Sequence, residues 1–380
     1  MRQSMLPGGH RDTETQRHRD TDTQRDRERE SVCVCLCHRG EESASVRPSH
    51  TGTSEFLLGA AHTHTHTHTE GEREGEMALP VVGVVGAGGL MGAGMVQRLD
   101  AQGFTVCMYN RSAEKLPAVA QAQRATTPQQ LCRQVEVVVG VLANDAAFEE
   151  VFGVEEVVES LRGKLVLQMA TLSPACSRRL GERVVAAGGL YLEAPVLGSV
   201  PQVLQGQLQI FYAGSVEAQE RAAPVLQALG GTLLRVDDTP GKAAALKLAM
   251  NQLIPSLTVA FSLSYGICEK EGVDMDLFLQ VLGSSALACP QFTKKLPMMR
   301  TRDFSSPNFN ARNMLKDVSL ILQEAEECGL HTAHLRGIQQ MYEEVVSTPD
   351  ADMDYSAVFN VVNPPTPGPS TPHPSSPPDS

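Results

Sequence analysis

The sequence predicts an α/β doubly wound sheet followed by an all-helical C-terminal domain, and three observations carry that expectation. An apolar, β-branched run at residues 81–85 (VVGVV) leads into a cluster of glycines at Gly86, Gly88, Gly89, Gly92 and Gly94. Further apolar runs alternate with helical patterns as far as about Asp238, the rhythm of a sheet covered by helices on both faces. Past Thr239 the strand-like runs stop and a 3.6-residue apolar periodicity takes over.

The 380 residues are enough for two domains, each with its own core. A net charge of −12 leaves no basic footprint for nucleic acid. No apolar run reaches the roughly 18–20 residues needed to cross a bilayer, so a soluble protein without a membrane partner is expected. Of nine cysteines, Cys33, Cys35 and Cys37 lie near the N-terminus. The other six (Cys107, Cys132, Cys176, Cys268, Cys289, Cys328) show neither C-x-x-C nor His pairing at zinc spacing. They read as buried, reduced thiols in a cytosolic protein with no metal site.

Residues 1–76 differ from the rest. RDRERE, SVCVCLC and HTHTHTHT are what GA, TG and CA dinucleotide repeats encode, and such polar repeats cannot bury enough apolar surface to fold. The expectation is a disordered leader that is untranslated sequence read through, with Met77 as the true start. His62, His64, His66 and His68 belong to that repeat rather than to a metal site. The leader is too acidic for a mitochondrial presequence, and Phe56-Leu57-Leu58 is too short for a secretory core.

From residue 77 to 239 the elements are those of a Rossmann domain. Strand, glycine turn and helix present N-terminal N–H groups to a pyrophosphate, and a Cβ would keep the backbone from approaching it. Gly86 and Gly88 supply a G-x-G, Met91 stands where a third glycine is usual, and Gly92 closes the loop one residue late. Residues 104–109 (FTVCMY) read as the next strand, ending in Asn110-Arg111-Ser112. No acid stands there to accept from a ribose 2′-hydroxyl. Arg111, between Asn110 and Ser112, suits the 2′-phosphate of NADP, although an ordinary surface arginine reads the same way. Residues 135–142 (VEVVVGVL) and 165–169 (LVLQM) read as buried parallel strands. Ser173-Pro174 is a helix start, N-cap then N1. Residues 190–193, 208–213 and 232–236 read as later strands, with a helix at 217–229. Ligands of such sheets lie beyond the carboxyl ends of the strands, where the glycine loop, residues 110–112, Leu142-Ala143-Asn144 and Thr171 converge.

From 240 to 362 a helical domain is expected. A long helix starts at Lys242, with a kink or break at Pro255. Apolar periodicities at 277–282, 314–328 and 335–346 give further helices, and Gly272 and Gly329 read as C-terminal caps. The Pro-rich tail, 363–380, reads as disordered. Within the long helix Lys247 and Asn251 share a face. Lys247 is either a snorkelling lysine with its head in water or a proton donor whose pKa burial depresses.

From Met77 to about Asn363 the chain resembles the β-hydroxyacid dehydrogenases, the family of 3-hydroxyisobutyrate dehydrogenase and the glyoxylate/succinic semialdehyde reductases. Five blocks carry the resemblance: the glycine loop at 83–92, Glu193-Ala194-Pro195-Val196-Leu197-Gly198-Ser199, residues 241–251, Ala170-Thr171 with Ser173-Pro174, and Lys316-Asp317. The resemblance implies that Lys247 is the catalytic lysine and that Asn251 holds it and the substrate oxygen. It implies that Gly86, Gly88, Met91, Gly92, Thr171 and the backbone of Leu142-Ala143 border the cofactor, with Lys316 closing over it. Leu197, Gly198 and Ser199 would form the substrate loop. It also implies a homodimer or homotetramer through the helical domain.

Departures from the family pattern fall on the substrate side. Leu197 replaces the loop serine that helps hold a substrate carboxylate, a loss of about 1–3 kcal/mol where the partner is left buried. The N–H groups of Gly198 and Ser199, and the Ser199 hydroxyl, are expected to take over. Ala243, Gln252, Gln168 and Ala170 also depart. The expected activity is an oxidoreductase using NADP(H) in preference to NAD(H), interconverting a small aldehyde or 2-oxo acid and its hydroxy acid. The alternatives are a catalytically silent cofactor-binding scaffold and an imine reductase, which usually carries a different residue where Lys247 stands.

Overall fold

The structure, a computed structural model, describes residues 78–365. The leader at 1–76 and the tail from 366 onward lie outside the described residues. Nine strands among those described form one sheet. Six are parallel: β1 (Val82–Val85), β2 (Val106–Tyr109), β3 (Gln123–Arg124), β4 (Val137–Gly140), β5 (Leu165–Gln168) and β6 (Leu190–Glu193), in the order β3-β2-β1-β4-β5-β6. Then β8 (Leu208–Gly214) pairs antiparallel with β6 and with the short β7 (Val196–Leu197), and β9 (Gly230–Asp237) runs parallel to β8. The order reverses between β1 and β4, which opens a crevice at their carboxyl ends.

Alternation along the strands feeds two cores. Val84, Val139 and Leu167 face Met95, Val96 and Leu99 of α1 (Leu90–Ala101) together with Val225 and Leu229 of α7 (Val216–Leu229). Val138 and Val166 face the other side, against Phe148 and Phe152 of α3 (Asp145–Phe152) and Leu180 and Val184 of α5 (Pro174–Ala186). Each such side chain contributes about 1.5–3 kcal/mol by leaving water. The Ser173-Pro174 start of α5 is present, the Ser173 hydroxyl accepting the Cys176 N–H at 3.0 Å. The apolar run expected at 135–142 is strand only over β4, because Asn144 must turn to cap α3, accepting the Ala147 N–H at 2.9 Å. Four short helices of this domain went unanticipated: α3, α2 (Pro128–Gln134), α4 (Glu155–Glu159) and α6 (Val200–Gln205).

A third core belongs to α8 (Lys242–Lys270), α9 (Met275–Gly283), α10 (Pro290–Thr301), α11 (Ala311–Glu327), α12 (Ala333–Val346) and α13 (Val358–Val362). Phe261 stacks on Phe292 with ring centres 4.7 Å apart, and Tyr265 meets Phe359 edge-on at 5.4 Å. No break occurs at Pro255: α8 continues through it, since the core contacts made on either side outweigh one missing helical hydrogen bond. Gly272 (φ 70°) and Gly329 (φ 71°) follow α8 and α11 in left-handed conformation, as C-terminal caps require.

Three further expectations need correction. By length and composition α8 is apolar enough to cross a membrane, contrary to the sequence estimate. Here it buries Lys247, Asn251, Thr258 and Ser262 alongside its apolar residues, and its flanks pack in the helical core. Of the six cysteines, all free, Cys107, Cys132 and Cys176 are buried, but Cys268 and Cys289 are half-buried and Cys328 is exposed. Cys328 caps the end of α11, where the chain meets solvent. Finally, the packed chain includes Asn363, which is buried and donates to Glu269 Oε2 at 2.7 Å.

One carboxylate joins the sheet to α8. Glu193, at the end of β6, is fully buried. It accepts from the Ser177 hydroxyl (2.5 Å), the Gly241 N–H and the Ala244 N–H (2.5 Å), so it caps the first turn of α8 from outside the helix. Burial pushes its carboxyl up, opposed by those bonds. Glu193→Ala should cost about 3 kcal/mol, because two helix N–H groups and a hydroxyl lose their acceptor. The check is a lower denaturation midpoint by circular dichroism, partly restored in Glu193→Gln.

Candidate active site

The crevice at the switch point widens into a cleft of about 1390 Å³ between the sheet and the helical domain. The expected catalytic, cofactor and substrate-loop residues all line it, whereas Asn144, expected at the same convergence, does not. The cleft volume exceeds the ~300–1,000 Å³ usual for a drug-sized ligand and suits a dinucleotide with a small substrate.

The glycine loop after β1 is shaped by close approach. Gly86 has φ 92°, and a Cβ there would strike the Val141 carbonyl oxygen. A Cβ on Gly92 would strike the Gly86 carbonyl oxygen, so the late third glycine seats α1 against the loop. The N-cap of α1 is Gly89, with no side-chain cap, which leaves its first N–H groups for an anion. These features fit the pyrophosphate of a nicotinamide dinucleotide. Asn110 braces the same loop: its Oδ1 accepts the Gly88 N–H at 3.2 Å and its Nδ2 donates to the Ser112 carbonyl at 2.8 Å. Arg111 extends into solvent and pairs with Glu150 at 3.3 Å, both exposed, an ion pair worth little and easily exchanged for a phosphate.

Leu142, Ala143 and Thr171 also line the cleft. Asp145 ties their loops together, accepting from the Ser173 N–H (3.1 Å) and hydroxyl (2.5 Å). No spacing in the sequence announces this bond.

The lysine is not snorkelling. Lys247 is 7 % exposed, and its Nζ donates to Asn251 Oδ1 at 2.7 Å. Asn251 Nδ2 donates in turn to Asp317 Oδ2 at 2.8 Å, which fixes the amide with its oxygen toward the amine. Lys316 Nζ lies 2.6 Å from Asp317 Oδ1. Desolvation lowers the Lys247 pKa to about 8; the Asp317 carboxylate opposes the shift and Lys316 adds to it. Such an amine can give or take a proton near neutral pH. Arg111, Lys115, Lys247, Lys294, Lys295 and Lys316 face Glu150, Glu156 and Asp317 around the cleft, an excess of cations in a chain of net charge −12. The cleft therefore draws anionic ligands.

Two family models divide the described chain. One, described as the NAD binding domain of 6-phosphogluconate dehydrogenase, matches residues 81–237. The other, described as NAD-binding of NADP-dependent 3-hydroxyisobutyrate dehydrogenase, matches residues 241–362. The chain belongs to the β-hydroxyacid dehydrogenase family. It is similar to glyoxylate/succinic semialdehyde reductase 1 of Arabidopsis thaliana, 28% identical over 285 residues, 74% of this chain and 98% of that protein. It is also similar to the cytokine-like nuclear factor N-PAC of Danio rerio, 27% identical over 282 residues, 73% of this chain and 61% of that protein. In fold it matches 3-hydroxyisobutyrate dehydrogenase from Salmonella typhimurium, with a TM-score of 0.66 and 22% identity over 74% of this chain and 99% of that one. As a β-hydroxyacid dehydrogenase it is an NAD(P)-binding oxidoreductase acting on CH–OH groups, with a small-molecule substrate.

The substrate loop of this β-hydroxyacid dehydrogenase corrects one expectation. Both Ser199 donors are engaged: its N–H (3.0 Å) and hydroxyl (2.7 Å) go to Gln202 Oε1, closing a capping box on α6. They are not free to hold an anion. Leu197 packs on Phe211, Ala213 and Ala243 where the loop meets α8. Gly92→Ala should weaken NADPH binding by about tenfold or more, a loss of ~1.4 kcal/mol, because α1 must retreat from the loop. Titration of nicotinamide fluorescence measures it, and unchanged affinity would mean that the loop does not cradle the phosphates.

Proposed function

We propose that this protein is an NADPH-linked reductase of a small aldehyde or 2-oxo acid that also runs the reverse oxidation, with Lys247 as proton donor and acceptor. The observation that carries the reading is the Lys247 amine, out of water in the cleft and hydrogen-bonded to Asn251. A bound nicotinamide would supply or accept the hydride. The glycine loop and the α1 N-terminus would hold the pyrophosphate, with Leu142, Ala143 and Thr171 along the nicotinamide side and Lys316 near the opening. Lys247 would neutralise charge developing on the substrate oxygen by giving up its proton, in a site where few other groups compete for it. Asn251 and Asp317 keep that amine in place.

The preference for NADP(H) rests on two cations, Arg111 and Lys115, beyond β2, with no acid at the end of that strand. A silent scaffold has no use for an amine held out of water, and Lys247 also distinguishes the chain from the imine reductase pattern. An exposed apolar row on α8 (Leu246, Met250, Leu253, Leu263, Ile267), with Leu277 and Val281 on α9, supports a homodimer or homotetramer through the helical domain. A cytosolic setting suits six free thiols.

Lys247→Ala should reduce kcat by about 10²–10⁴-fold while NADPH affinity stays within about twofold, since the amine binds no phosphate; wild-type turnover in this variant would reject the assignment. The pH dependence has a definite sign. Oxidation needs the neutral amine, so its kcat should rise as pH passes about 8; reduction needs the ammonium and should fall above the same value. Arg111→Ala should lower the NADPH-over-NADH preference roughly tenfold through loss of a charged hydrogen bond, measured as the ratio of kcat/KM for the two cofactors.

A further inference from the structure

The strand that leads to Arg111, β2, ends without an acid, yet a carboxylate stands beside the guanidinium because a different element delivers it. Glu150 lies on α3, 39 positions after Arg111, with its Oε2 3.3 Å from Arg111 Nη1. Helical spacing directs it there. Ala147, Glu150 and Val151 form one stripe of α3 that lines the cleft, while Phe148 and Phe152 on the other side are buried in the core. Glu149, the neighbour in sequence, does not line the cleft and pairs with Arg183 at 2.8 Å. Of these two adjacent acids, only Glu150 faces the cofactor cleft, and there it holds the one cation that the end of β2 offers.

NADP(H) and NAD(H) differ in a single phosphate on the 2′ oxygen of the adenosine ribose, and this ion pair distinguishes them. Toward a free 2′-hydroxyl, the Glu150 carboxylate can keep Arg111 and still accept a hydrogen bond, since its two oxygens have about four lone-pair sites. A 2′-phosphate carries a charge of about −1.5 to −2 at neutral pH and takes the guanidinium for itself. Glu150 is then left unpaired beside another anion, which costs affinity. Arg111 thus favours NADP(H), and its partner opposes it. We propose that Glu150 is a second specificity-determining residue of the cofactor site, one that restrains the NADPH preference and keeps NADH usable by the same enzyme. This rests on the NADPH-linked reading above and adds to it the residue that limits the preference.

The test measures the Kd of NADPH and of NADH for the full chain, by titration of nicotinamide fluorescence with no substrate present. Glu150→Gln keeps the size of the side chain and removes its charge. The ratio of the NADH Kd to the NADPH Kd should rise at least about fivefold over wild type, a change of ~1 kcal/mol, mostly through tighter NADPH binding. Glu155→Gln removes an equal charge from an exposed position that does not line the cleft, and it should leave the ratio within about twofold of wild type. An unchanged ratio in Glu150→Gln, or an equal rise in Glu155→Gln, would overturn the proposal. The wild-type ratio tests the earlier reading separately. Tighter binding of NADH than of NADPH removes the NADPH assignment, while the shift on Glu150→Gln still decides the role of Glu150. Binding of neither cofactor overturns both.

Discussion

The constraint on which the rest of the site depends is the placement of one amine away from water. A lysine ammonium in an apolar setting pays a desolvation cost that only neutralisation or a paired charge relieves. At Lys247 the immediate partner is an amide oxygen, and the nearest carboxylate, Asp317, is reached through Asn251 and shared with Lys316. That arrangement leaves the amine poised to lose its proton near pH 8. It also requires α8 to be held firmly, since a small rotation would return the amine to solvent. Glu193 fixes the start of the helix from the sheet, and Asp317 fixes its first turns from α11.

Most of the architecture was legible in the sequence because the signals are local. Apolar runs of the right length became β1, β4, β5 and β6, and the Ser173-Pro174 pair opened a helix where its chemistry says it should. Glycines at 86, 88 and 92 announced close approach, and the structure supplies the atoms they approach. Lys247 and Asn251 could be placed on one face by spacing alone. What spacing could not show was burial of the amine, which depends on tertiary packing.

Most features that sequence reasoning missed are long-range. Asp317 meets Asn251 across 66 positions, and Glu193 meets Ala244 across 51. Asp145 reaches Ser173 between two loops that share no motif. The Ser199 hydroxyl was read as an anion donor because Leu197 stands where the family's loop serine would be. Gln202, three residues on, claims it as a cap. Pro255 broke no helix because both flanks of α8 are packed. At Pro255 tertiary packing overrode a sound local expectation, whereas at Ser199 the competing bond is itself local.

A direct measurement of the amine's proton affinity tests the central claim. Carbon-13 at the ε position of lysine, followed by NMR through a pH titration and assigned with Lys247→Ala, reports one site in the folded protein. A midpoint near 8 is expected for Lys247. A midpoint at the ordinary lysine value of about 10.5 would place the amine in water and contradict its role in the proton transfer.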